Sequence, residues 1–317
     1  MTRRGFTLAE LLVALVLLGL IMGAMINVLV RQQRFYGSAT DLMDMRGRIH
    51  RATAVVPAEL RALSPRDTVS GGVNSGDIYA WSDHAIEFRS VTGSSVVCWI
   101  PSLPPVMNLR LPPRGLPNVL TSWQVTPVVG DSLLIFDDMG GDQRQSQWRA
   151  YAITAIAPVS GAAGCPSGAS QLLTAAQGAL SSYSATVSPP LTATTIAGAP
   201  VRVFRRAHYE LYRETDGRWY LGFFDCLSTY ASNCGSLEPV SGPYRPYSAT
   251  PGYSGLQFTY YDSTGALLNP AVAKAKNIAR IDVTVRAQTQ SPISLGNGAR
   301  AVVVDSTRYV VGLRNRH

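Results

Sequence analysis

Few side chains in this sequence stand at spacings that chemistry can use. In "FDDMGGDQ", Asp137, Asp138 and Asp142 gather around two glycines and offer the carboxylate oxygens that a calcium ion takes. The spacing is not that of an EF-hand loop, and turns collect aspartate and glycine for conformational reasons alone. "GDSL" at 130–133 has the form of a lipase and esterase nucleophile block, with Ser132 as nucleophile. That reaction needs a histidine base oriented by a carboxylate. His50, His84, His208 and His317 all lack the Asp-x-x-His context that would supply one, and Ser132 opens the apolar run "SLLIF", which reads as a turn followed by a strand. No glycine-rich phosphate loop, His-Glu-x-x-His or paired-carboxylate constellation is present. These residues predict no catalytic site and no cofactor. One acid is harder to explain. Glu10 lies within "RRGFTLAELL", inside an apolar run where a carboxylate is costly and persists only with a partner.

The elements that must position Glu10 are marked in the surrounding sequence. Phe6 to Val30 contains one ionisable group and, as a helix, spans about 37 Å, enough to cross a hydrocarbon core of about 30 Å. Arg3 and Arg4 precede it and, by the positive-inside rule, hold the amino end in the cytoplasm. Everything after Val30 is then expected across the membrane. Gly19 and Gly23 form a Gly-x-x-x-Gly spacing that lets helices approach closely. Beyond the span, Phe35, Ala39, Leu42, Met45, Ile49, Ala52 and Val56 recur three or four apart, which predicts an amphipathic continuation over 31–63 packed under the chain's own globular domain. Pro57 is expected to end or kink it, with "AELRAL" adding a turn or two.

The stretch "RRGFTLAELLVAL" resembles the type IV pilin superfamily, whose class III leader joins basic residues, a glycine and a phenylalanine, with a glutamate fifth after the cut. The resemblance implies a leader at 1–5, cleavage by a prepilin peptidase between Gly5 and Phe6, and methylation of the new amino end of Phe6. It also implies a role for Glu10 in assembly. The carboxylate would neutralise the Phe6 ammonium of a neighbouring subunit, so that an unpaired charge sets register. The absence of a helix-breaking proline before Pro57 favours a minor subunit over a major, fibre-building one. The carboxy-terminal patterns "YELYRETDGRWYLG", "GLQFTYYDSTGALL", "IARIDVTVRAQ" and "ARAVVVDSTRYVVGLRN" resemble the larger minor pilins and the J-type pseudopilins of type II secretion. Implied partners are the peptidase, other pilins or pseudopilins, an inner-membrane assembly platform and, before assembly, membrane lipid. The alternative is a membrane-anchored periplasmic binding protein or enzyme that uses 6–30 only as an anchor.

The rest of the chain, 64–317, reads as a β-rich periplasmic domain. Strands are expected at Ile78–Trp81, Ala85–Val91, Ser94–Ile100, Ser132–Asp137, Trp148–Ile156, Leu256–Tyr261, Ala279–Ala287 and Arg300–Leu313. A hairpin over 201–225 is expected to turn at Asp216-Gly217 in a type I′ turn. The Ala/Ser/Gly-rich segment 158–200 reads as loop-like and mobile, with a short helix near 171–180. The fold class is therefore α+β: a long amino-terminal transmembrane and amphipathic helix packed on a carboxy-terminal antiparallel sheet, as in pilins. The formal net charge of +8 comes almost wholly from arginines scattered along the chain, and no nucleic acid is expected as a partner. Cys226 and Cys234 bracket a loop short enough to staple, and Cys98 could then pair with Cys165; the spacing alone leaves the connectivity open. Such bonds persist outside the reducing cytoplasm.

Overall fold

The computed structural model describes residues 8–63, 76–100, 106–111, 122–138, 146–160, 165, 181–226, 236–294 and 299–313. It is an α+β fold with one long helix and an antiparallel β domain. Helix α1 runs from Leu8 to Leu60 without interruption, about 80 Å of helix. Pro57 does not end it. Proline lacks the N–H that would bond the Thr53 carbonyl, yet the helix passes through it and the Arg61 N–H still reaches the Pro57 carbonyl at 3.2 Å. The Thr53 hydroxyl donates to the carbonyls of Ile49 and His50 at 3.0 and 2.9 Å, holding the turn before the proline together.

The expected stripe on α1 is found in its second half only. Met45, Ile49, Ala52, Val56 and Leu60 are buried, at i, i+4, i+7, i+11 and i+15, and Leu42 is partly buried beside them. Phe35, which belongs to the same expected stripe, is 69% exposed. The packed face therefore begins near residue 38, where the globular domain first meets the helix.

Fifteen strands follow among the described residues: β1 Ile78–Trp81, β2 Ala85–Val96, β3 Val106–Leu111, β4 Ser122–Trp123, β5 Ser132–Asp137, β6 Gln147–Val159, β7 Ser182–Leu191, β8 Pro200–Arg213, β9 Trp219–Cys226, β10 Ser236–Tyr244, β11 Leu256–Tyr261, β12 Arg280–Gln288, β13 Ile293–Ser294, β14 Arg300–Ala301 and β15 Val304–Gly312. Ten form one sheet in the order β1-β2-β8-β5-β6-β7-β3, with β9 beside β8, β10 beside β9 and β4 beside β2. Strands β11-β12-β15 make a second sheet, and β13-β14 a two-stranded ribbon.

Two cores result. The first lies where α1 packs on the smaller sheet and on one end of the larger one, and joins Met45, Ile49 and Leu60 to Phe88, Tyr209, Phe258, Ile281 and Val283. The second lies at the other end of the large sheet, around Leu109, Leu133, Ile153, Val187 and Val203, with no helix residue in it. Strand β8 serves both, with Val201 and Val203 in the second core and Ala207, Tyr209 and Leu211 in the first. Between them on the same strand, Arg205 grips Asp131 through Nε–Oδ1 at 2.7 Å and Nη2–Oδ2 at 2.9 Å. Asp131 is fully buried, so its charge is met by a fork geometry and by the Val128 N–H at 2.9 Å.

Several expectations change. The expected strand Ala85–Val91 and the start of the expected Ser94–Ile100 are one strand, β2, which ends at Val96 and passes through Gly93, where the Trp123 ring crosses so closely that a Cβ would meet it at 2.7 Å. Residues 182–191 of the expected loop at 158–200 form β7, which pairs with both β6 and β3. The 171–180 helix lies outside the described residues. The 201–225 hairpin closes through a three-residue loop: Glu214 and Arg218 pair, the Gly217 N–H bonds the Glu214 carbonyl at 2.9 Å, and Gly217 takes φ of 80°. That is the left-handed position such a loop requires, in place of a two-residue type I′ turn. The expected strand over 300–313 is divided into β14 and β15.

Candidate functional site

The candidate site is the first half of α1. From Leu8 to residue 37 every position is exposed, including Leu11, Leu12, Val16, Ile21 and Leu29, each more than half exposed. A helix that is apolar on all sides cannot gain its burial from a globular domain that touches only its far end. By length and composition it is able to cross a membrane. Over 8–30 two polar groups interrupt this surface, and Arg31, Gln32, Gln33 and Arg34 follow it. Asn27 is satisfied within the helix, its Nδ2 donating to the Gly23 carbonyl at 3.0 Å. Glu10 stands in the first turn, where the positive end of the helix dipole favours an acid. Gly5 and Phe6, the expected cleavage and methylation positions, lie outside the described residues. Around Gly19 and Gly23 nothing comes within 4 Å of where a Cβ would stand, so both present open backbone to whatever packs on the helix.

The other residues singled out by sequence fall into structural roles. Asp137 ends β5 with its side chain 1% exposed, and its Oδ2 accepts from Arg149 Nε at 2.8 Å and from the Thr192 hydroxyl at 2.7 Å. An arginine thus already stands where a cation would sit. Asp138 accepts from the Ser146 hydroxyl at 3.0 Å, and Asp142 lies outside the described residues. Ser132 opens β5 opposite Phe204 of β8. His208 stands four residues further along β8, about 13 Å away, and bonds Glu210 at 3.1 Å. His84 is held by Asp83 at 2.7 Å, and His50 is exposed on α1. Ser132 therefore has no histidine brought to it among the described residues.

Cys98 and Cys165 are joined by a disulfide across 67 residues, with both sulfurs buried. It ties the end of β2 to the segment that follows β6. Cys226 is the last residue of β9, Cys234 lies outside the described residues, and so does the expected pairing between them.

Sequence reasoning missed several buried polar and charged groups that tie strands to one another and to α1. Asp282, 1% exposed, is met by Arg308 from the neighbouring strand and by Arg280 Nε at 3.3 Å. Arg280 also stacks on Tyr261, 3.9 Å from the ring centre. Glu59, in the last turn of α1, is raised above the usual carboxylate range by burial, partly offset by a hydrogen bond with Tyr209. Tyr244 is pushed up to about 12 by burial, and its hydroxyl donates to the Arg48 carbonyl at 2.9 Å. Their signal is a register between elements, which spacing along the chain does not carry.

With this geometry in view, comparison with known families gives one finding. Residues 1–26 match the family described as the prokaryotic N-terminal methylation motif. Comparison of the chain with curated proteins and with solved structures gives no match. The matched segment spans the junction of Gly5 and Phe6, Glu10 and most of the exposed apolar helix, and it fits inner-membrane anchoring. It supports a type IV pilin-like prepilin leader at the amino end of a pilin- or pseudopilin-type subunit.

Proposed function

We propose that this chain is a non-enzymatic, minor pilin-like subunit of a type II secretion pseudopilus or type IV pilus, acting at initiation or near the tip. In this reading it is made as an inner-membrane precursor with its amino end cytoplasmic and its β domain periplasmic. Prepilin peptidase cuts between Gly5 and Phe6 and methylates Phe6, and the chain then joins other pilins or pseudopilins through the assembly platform. The single observation that carries the reading is the coincidence of the matched motif at 1–26 with a helix whose residues 8–37 have no cover from their own domain.

The chemistry is that of packing. Lipid covers the helix first, and neighbouring helices replace lipid as the subunit leaves the membrane. Glu10 is costly in hydrocarbon, and the ammonium of a seated neighbour's Phe6 relieves that cost only when the incoming helix is in register. The experiment is Glu10→Ala in the native cell. The variant should be processed normally and yet be lost from sheared filaments. Normal incorporation would contradict the role given to Glu10.

A further inference from the structure

In most of the β domain a partly buried arginine is matched to an acid. Arg89 meets Asp77 at 3.1 Å, Arg149 meets Asp137 at 2.8 Å and Arg205 meets Asp131 at 2.7 Å. Arg245 and Arg286 break this pattern. Arg245 follows β10, Arg286 belongs to β12, and the Arg245 N–H donates to the Arg286 carbonyl at 3.2 Å. Val285 and Ala287, on either side of Arg286, are buried in the core that contains α1, so by strand alternation Arg286 stands on the opposite face of the sheet. Both arginines are partly exposed and can be reached from solvent.

We infer that Arg245 and Arg286 form a binding site for one tetrahedral dianion, a phosphate that is either free or the phosphoryl end of a larger molecule. Among the described residues neither guanidinium pairs with a carboxylate. Arg286 is oriented by neutral groups alone: its Nη1 donates to the Ser254 carbonyl at 3.1 Å and to Gln257 Oε1 at 3.2 Å. The Arg245 side chain makes no hydrogen bond. Its guanidinium lies 5.6 Å from the centre of the exposed Tyr253 ring, and its Nε is buried with no partner.

The two charges are held together by backbone. A Cβ on Gly255 would stand 2.1 Å from the Arg245 carbonyl oxygen, and the Arg286 N–H donates to the Gly255 carbonyl at 2.7 Å. Arg286 is accordingly held below its usual range, first by burial and then by the charge of Arg245. Like charges fixed side by side are unfavourable, and an anion that bridges them removes that cost. A carboxylate would cancel one of the two charges. A phosphate monoester brings about −1.5 to −2 at pH 7 and three acceptor oxygens, which suits two guanidinium forks.

The test titrates the full chain in detergent with sodium phosphate, at constant ionic strength made up with chloride, and reads calorimetric binding together with the melting temperature. A saturable heat and a matching rise in melting temperature are expected. R245Q and R286Q should each weaken binding by roughly tenfold or more, as loss of a charge-assisted contact implies. R245K keeps the charge without the fork and should also bind more weakly than the natural chain, which preserves the test if a glutamine variant fails to fold. Glycerol phosphate separates the two sources: binding equal to that of phosphate supports a phosphoryl end, and binding of phosphate alone supports the free ion. A rise in melting temperature shared by R245Q and R286Q would be the general stabilising effect of phosphate salts and would overturn the inference. So would the absence of a binding heat, or acetate binding as tightly as phosphate. None of these results bears on the filament reading.

Discussion

Residues 8–37 and 38–60 belong to one continuous helix, and they obey different rules. In the second half, apolar side chains recur at helical spacing and disappear into a core shared with two sheets. In the first half, apolar side chains occupy every face and all are exposed. The second half is held by its own domain, so its sequence is patterned. The first has no cover from its own domain: over 8–30 it is apolar on every face apart from Glu10 and Asn27, as covering by lipid requires, and Arg31, Gln32, Gln33 and Arg34 follow.

The sharpest way to break this contrast is at the leader. Gly5→Leu should abolish processing altogether, leaving the full leader on the protein by mass spectrometry, while the β domain keeps its melting temperature. Next in size is the disulfide. Closing a 67-residue loop contributes about 4 kcal/mol by chain entropy, so C98S with C165S should lower the denaturant midpoint accordingly. The loss should fall on the helix-free second core.

A matched pair of truncations then compares the two halves of α1 directly. Leu60→Ala should cost about 2–5 kcal/mol in unfolding measurements, since Leu60 is fully buried. Leu17→Ala, at 54% exposure, should cost less than about 0.5 kcal/mol in detergent. Equal costs would mean that the first half packs on the domain after all.

The smallest effect concerns Glu59. Its folded-state pKa lies above the unfolded value because of burial. The unfolded chain therefore releases its proton first as pH rises, and the group's stability, present below pH 4.5, is lost on the way up through the folded value. Glu59→Gln should raise the melting temperature at pH 7 and leave it unchanged at pH 4.

How much of this was legible in the sequence follows from where each signal lives. The edges of β1, β5 and β11 coincide with their expected limits because alternation and bounding turn residues mark them locally. Glu10 stands out because one carboxylate in an apolar run has few explanations. Strand β7 was hidden by its Ala, Ser and Thr residues and by Pro189-Pro190, though Ala185 and Val187 alternate into the second core. Strand β10 contains Pro239 and Pro243, which suit it to pair with β9 alone and to shift register at both places. The buried Arg205–Asp131 and Asp282–Arg308 contacts need strand register, and no spacing along the chain reports that.

The central claim is that the exposed half of α1 belongs to a processed filament subunit. Mass spectrometry of the amino terminus of the protein isolated from its native cell tests it most directly. The account predicts a chain beginning at Phe6 and carrying an N-methyl group; a chain that still begins at Met1, with Arg3 and Arg4 attached, would contradict it.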